Sequence, residues 1–138
     1  MIVVDTNTIA YLYLPTEYTP DVETLLERDS GWLAPILWRS EFRSILSLYV
    51  RKEMITRDTA LQMQAQAERQ MADNEYSVTS SGVLKLALDS GCSAYDCEFV
   101  FLARSLDLPL VTHDRKLLQT FPGMTLTARE LVRHRDSN

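Results

Sequence analysis

Several things are scarce in this chain, and each scarcity excludes a class of protein. No apolar run approaches the ~18 residues that a membrane span needs; Phe99 to Ala103 is typical of the longest. The two cysteines, Cys92 and Cys97, are too few for the disulfide framework of a small secreted domain. Met1-Ile2-Val3-Val4-Asp5 lacks the basic lead-in of an export signal, so the cytoplasm is the expected compartment. Positive charge is not in excess either. With 14 basic and 19 acidic residues the formal net charge is −5, which argues against a surface that attracts nucleic acid everywhere. Linkers, repeats and low-complexity stretches are missing as well, so the 138 residues read as one domain. That length buries enough surface to fold without a metal or crosslink. A composition of 46% apolar and 24% charged residues excludes a disordered chain.

What is present alternates between short apolar strands and helices. Ile2-Val3-Val4, Trp32-Leu33-Ala34, Pro109 to Thr112 and Met124 to Leu126 read as strands. Thr19-Pro20 opens one helix, Pro35 starts a long one to about Lys52, and Thr56 caps a glutamine-rich one to about Asp73. A helix to Asp89 closes at Gly91, and helical period returns from Ala94 to Leu106. Shorter helices cover Asp114 to Phe121 and Thr127 to about Arg133. This order predicts an α/β fold with a central parallel β-sheet flanked by α-helices.

Four acids do not fit that pattern. On the long helix, Trp38, Phe42, Ile45 and Tyr49 centre an apolar stripe, with Arg39, Ser40, Arg43, Ser47 and Arg51 opposite; Glu41 falls inside the apolar sector. Asp96 repeats the anomaly, sharing a face with Phe99 and Val100, whereas Cys97 and Glu98 fall on the polar side. Asp5 and Asp114 stand just past the carboxyl ends of two strands, where open α/β sheets bind ligands. Each acid also has a plain structural reading, as a helix cap or a paired core acid. One shared site is more economical than four separate explanations. Carboxylates gathered without bases need a hard divalent cation, and an all-oxygen donor set suits Mg²⁺ or Mn²⁺. Such an ion activates water and stabilises displacement at phosphorus. Zinc is disfavoured, because His113, His134, Cys92 and Cys97 show no ligand spacing.

Asp5-Thr6-Asn7, the Ser-Glu-Phe step at Glu41, Tyr95-Asp96 and Thr112-His113-Asp114 together resemble the four motifs of PIN domains, in order and over essentially the whole chain. The size resembles that of the VapC-type toxins of toxin–antitoxin pairs. The resemblance implies a PIN-like nuclease domain over 1–134 with a polar tail over 135–138. It implies a Mg²⁺- or Mn²⁺-dependent endoribonuclease acting on transfer or ribosomal RNA, with Asp5, Glu41, Asp96 and Asp114 as metal-site and catalytic acids and Asn7 and Thr112 as polar supports. A homodimer and an antitoxin that covers the site, commonly with an arginine, follow from the same resemblance. Cys97-Glu98 after Asp96 departs from the family, which usually has a small apolar residue first.

Two other readings compete. Asp5-Thr6-Asn7-Thr8 is close to the Asp-x-Asp-x-Thr of haloacid-dehalogenase-like phosphotransferases, with Asn7 in place of the second acid. A PIN-fold binding module without activity is the other, against which four intact acids argue. With the acids engaged, Arg39, Arg43 and Arg51, then Arg115-Lys116, then Arg129, Arg133 and Arg135 are three basic groups suited to RNA phosphates. His113, next to Asp114 in an extended segment, is expected to face away from the site.

Overall fold

Ile2, Val3 and Val4 are β-branched and fully buried, and they form β1 at the centre of the molecule. A strand covered on both faces reads as a continuous apolar run, as this one does. The computed structural model describes Met1–Ser137. After β1 come α1 (Thr6–Tyr13), α2 (Thr19–Arg28), β2 (Trp32–Pro35), α3 (Leu37–Arg51) and α4 (Arg57–Gln70). There follow β3 (Glu75–Tyr76), α5 (Ser80–Ser90), α6 (Ala94–Leu106), β4 (Leu110–Val111), α7 (Arg115–Thr120), β5 (Thr125–Leu126) and α8 (Ala128–Asp136). The strands pair in parallel in the order β3-β2-β1-β4-β5, the flanked parallel sheet expected. Of the polar tail expected over 135–138, Arg135 and Asp136 lie in α8, and Asn138 is outside the described residues.

The order of strands fixes where a ligand can enter. From β1 the chain moves to β2 and β3 on one side, then returns to place β4 and β5 on the other. The crevice at the carboxyl ends of β1 and β4 is therefore the topological switch point of the sheet. Val4 pairs with Val111, so Asp5 and Thr112 emerge side by side. Helix α6 lies across β1, β2 and β4, burying Phe99, Val100, Leu102 and Ala103. Helix α3 buries Trp38, Phe42 and Leu46. Gly91 closes α5 at φ 75°, a left-handed position that glycine takes without strain.

Two expectations need correction. β3 is a fifth strand that sequence periodicity does not reveal. Cys97 is not on a polar face but fully buried, because α6 is covered by the sheet on one side and by α5 on the other. The departure Cys97-Glu98 thus puts a small buried thiol where packing accepts one.

Candidate active site

Asp5, Glu41, Asp96 and Asp114 come from four separate segments and line one cavity of about 470 Å³, together with Asn7. β1 delivers Asp5, which caps α1: its Oδ1 accepts from the Thr8 amide at 2.9 Å and the Thr8 hydroxyl at 2.6 Å. Its Oδ2 accepts from the Thr112 hydroxyl at 2.6 Å. That same Thr112 oxygen accepts from the Asp114 amide at 3.1 Å, so one buried hydroxyl ties two of the acids together. Asp114 caps α7, its Oδ1 accepting from the Leu117 amide at 3.1 Å. Glu41 Oε1 accepts from the Thr6 hydroxyl at 2.7 Å, which joins α3 to α1. Asp96 sits in the first turn of α6, its amide donating to Ser93 Oγ.

The four acids singled out in the sequence line one cavity, and Thr112 bonds two of them; sequence reasoning did not single out Thr6 and Thr8. Thr8 is readable as an Asp5-x-x-Thr8 capping pair. Thr6 has no local signal, since its partner lies 35 positions away. Asn7 lines the cavity as an exposed side chain. Glu98 opens instead toward a cavity lined by Ile36, Val83 and Leu84. His113 turns away as expected, packing on Tyr11 and Tyr18 at ring-centroid separations of 5.6 and 4.4 Å.

The electrostatics of the cavity favour a cation. Burial pushes the Asp5 carboxyl up despite its three hydrogen-bond donors. Burial also raises Glu41, and the charges of Asp96 and Asp5 add to the effect even against the Thr6 hydrogen bond. Asp96 is raised by burial and then by Asp114 and Asp5, opposed by Ser93 and Lys116. Three carboxylates with raised values around one space form a site where a positive ion lowers the free energy of all of them together.

The donor set fits a hard ion. Glu41 Oε2 and Asp114 Oδ2 take no hydrogen bond from protein among the described residues, leaving acceptor oxygens for a cation. Among those residues no three acidic, imidazole or thiol groups draw close enough to enclose an ion alone. An ion that retains several waters and takes one or two carboxylates directly is the kind that matches this spacing, as Mg²⁺ does.

The basic groups divide sharply. Arg39 is committed to Glu75 and Glu68, Arg129 to Asp21 and Arg135 to Asp29, and Lys116 Nζ donates to the Gly91 carbonyl at 2.8 Å. These hold α3 to β3 and α4, α8 to α2, and α7 to the α5–α6 turn. Arg51, by contrast, lines the acid cavity itself.

Comparison with known proteins agrees with this architecture. A family model described as PIN domain matches residues 2–121. The chain is 27% identical to Ribonuclease VapC3 of Pyrobaculum aerophilum over 126 residues, covering 89% of this chain and 96% of that protein. A crystal structure of PAE2754 from Pyrobaculum aerophilum superposes with a TM-score of 0.78 at 19% identity, covering 99% of this chain and 90% of the other. A toxin–antitoxin complex from Klebsiella pneumoniae superposes at 0.68 with 16% identity, covering 94% and 99%; both structural likenesses concern the fold. No helix among the described residues is long and apolar enough to cross a membrane.

Proposed function

The chain belongs to the PIN-domain family, and from that premise we propose that it is a Mg²⁺- or Mn²⁺-dependent endoribonuclease, the toxin member of a toxin–antitoxin pair. The observation that carries the reading is that four acids, from β1, α3, α6 and the β4–α7 junction, line one cavity at the switch point of a parallel sheet. The similarity to a named ribonuclease over most of the chain supports the same activity.

Asp5, Glu41, Asp96 and Asp114 would hold the cation, directly or through its waters, with Thr112 orienting Asp5 and Asp114, and Asn7 at the rim. When bound, the ion supplies electrostatic activation of a water and charge stabilisation at the phosphodiester. The chain's own part is positional. Thr8 and Thr112 lock the Asp5 carboxylate from both sides, and Thr6 holds Glu41 at one oxygen. An Asp5 with both oxygens engaged is built as a fixed anion rather than as the mobile nucleophile of a phosphotransferase. A structured RNA such as tRNA or rRNA is the proposed substrate, and the cytoplasm the proposed compartment. The complex superposing from Klebsiella pneumoniae supports an antitoxin partner. A guanidinium from that partner is suited to bridge the carboxylates bidentately. Exposed Leu84, Leu88 and Tyr95 on α5 and α6 support a second copy of the chain as a covering partner.

The test is cleavage of labelled tRNA and rRNA by purified protein with Mg²⁺, Mn²⁺ or EDTA. Cleavage is expected only with metal, and Asp96→Asn or Glu41→Gln should lower the rate at least a hundredfold, matching the ~3 kcal/mol that one electrostatic catalytic group contributes. Glu98→Gln should retain activity. Full cleavage in excess EDTA would overturn the metal site. Cleavage silenced by co-expression of a neighbouring small frame checks the partner; a fully active co-purified complex would exclude inhibition at this cavity.

A further inference from the structure

We infer that Arg51 binds the substrate at a phosphate next to the scissile one, and that the strand leaves the acid cavity along the groove between α3 and α4. The inference rests on the nuclease reading above. Its starting point is the face of α3. Glu41, Ser44, Ile45, Leu48 and Arg51 recur at helical spacing and line the acid cavity together with Ser47. Glu41 lies near the start of the helix and Arg51 is its last residue. The ten intervening steps span about 15 Å at 1.5 Å per residue. Arg51 therefore enters the cavity from the end away from Glu41, which suits a phosphate next to the one under attack.

Ser47 and Arg51 also line a second cavity of about 350 Å³, so the two spaces are neighbours with Arg51 between them. Its apolar lining is Leu46, Val50, Ala60 and Leu61. Arg43 and Arg57 join Arg51 at its edge. None of these three arginines pairs with a carboxylate among the described residues, in contrast to Arg39 on the same helix. The polar contact given for Arg43 is a hydrogen bond to Ser40 Oγ at 2.9 Å. Three guanidiniums without carboxylate partners around a cavity next to the acidic one suit a polyanion whose charges repeat along a strand. The apolar lining gives sugars and base faces a surface to lie on. Serine hydroxyls beside Arg51 suit phosphate oxygens in the same way.

The experiment compares wild type with Arg51→Gln, Arg51→Lys and, as a control on a remote helix, Lys85→Gln. One arm measures binding of a random-sequence 2′-O-methyl oligoribonucleotide, which resists cleavage, by fluorescence anisotropy across a NaCl series at fixed Mg²⁺. The other arm measures kcat and KM for a cleavable RNA. Arg51→Gln is expected to weaken binding roughly fivefold and to flatten the log Kd against log salt slope by about 0.7, the loss of one phosphate contact on a single strand. KM should rise by the same factor with kcat changed less than twofold. Arg51→Lys should restore most of both, and Lys85→Gln should change neither. Unchanged binding, slope and KM in Arg51→Gln would overturn the assignment and leave the groove to an acidic protein segment. Cleavage lost in wild type itself, with the binding slope still sensitive to Arg51, would instead sink the nuclease reading while keeping the RNA contact. A kcat loss with binding untouched would also overturn it, by moving Arg51 to a structural role.

Discussion

Thr112 is fully buried, donates to Asp5 and accepts from Asp114. Removing its hydroxyl while keeping its shape isolates that linkage. Thr112→Val leaves the Asp5 carboxylate short of one donor in a buried place, so the protein should lose about 1–3 kcal/mol of stability near neutral pH. Its cleavage rate should fall roughly 10- to 100-fold, as is usual when a group orienting a metal ligand is removed. Urea titration and single-turnover cleavage check both; a variant with wild-type activity would show that Thr112 serves only the fold. Thr6 illustrates what sequence reading misses at this scale. Its partner Glu41 is far along the chain, and nothing local distinguishes its hydroxyl from any other threonine's. Arg39 is the complementary case: its helical position faces away from the Trp38–Phe42 stripe, yet Glu75 and Glu68 take it up through contacts that only the folded chain creates.

At the scale of elements, strands β1, β2, β4 and β5 and all the helices carry local signals. The β1 run is β-branched and the β2 run apolar, Thr56 and Asp114 cap their helices with side chains, and Gly91 stops α5. Strand β3 does not, because Glu75-Tyr76 is polar and half-exposed with no apolar run around it, and it becomes a strand only by pairing with Ala34 and Pro35. Cys97 was hidden for a related reason. A helix packed on two sides has a wider apolar sector than one lying on a surface, and that second packing partner, α5, is a tertiary fact. Helix α5 leaves Leu84 and Leu88 exposed at 56% and 76%, on successive turns of one face. If a second copy covers them, a Leu84→Glu, Leu88→Glu double variant should sediment as a monomer at concentrations where wild type is a dimer. Wild type sedimenting as a monomer at micromolar concentration would remove the dimer.

For the whole molecule, Asp5, Glu41 and Asp96 make stability depend on pH, and the proposed cation site would link that dependence to metal. Asp5, Glu41 and Asp96 have folded-state values raised above the ordinary ones. The folded state then holds protons that the unfolded chain has already released. Their contribution to stability is complete below the unfolded values near 4 and is lost as pH rises through the raised values. A divalent ion that binds only the folded state opposes that loss, adding about 2.7 kcal/mol at a hundredfold excess over its Kd. Asp96 decides between one shared site and four separate structural roles. As a first-turn anion it gains about 0.3–1 kcal/mol from the helix dipole, yet burial and the charges of Asp114 and Asp5 carry its carboxyl upward all the same. Asp96→Asn should therefore relieve the metal-free protein and handicap the metal-bound one. The direct measurement is thermal melting of wild type and Asp96→Asn near neutral pH, each in EDTA and in millimolar Mg²⁺. A shared cation site predicts that the variant melts higher in EDTA and that Mg²⁺ reverses the order. A variant that melts lower in EDTA and gains as much from Mg²⁺ as wild type would show Asp96 to be an ordinary helix residue and contradict the shared site.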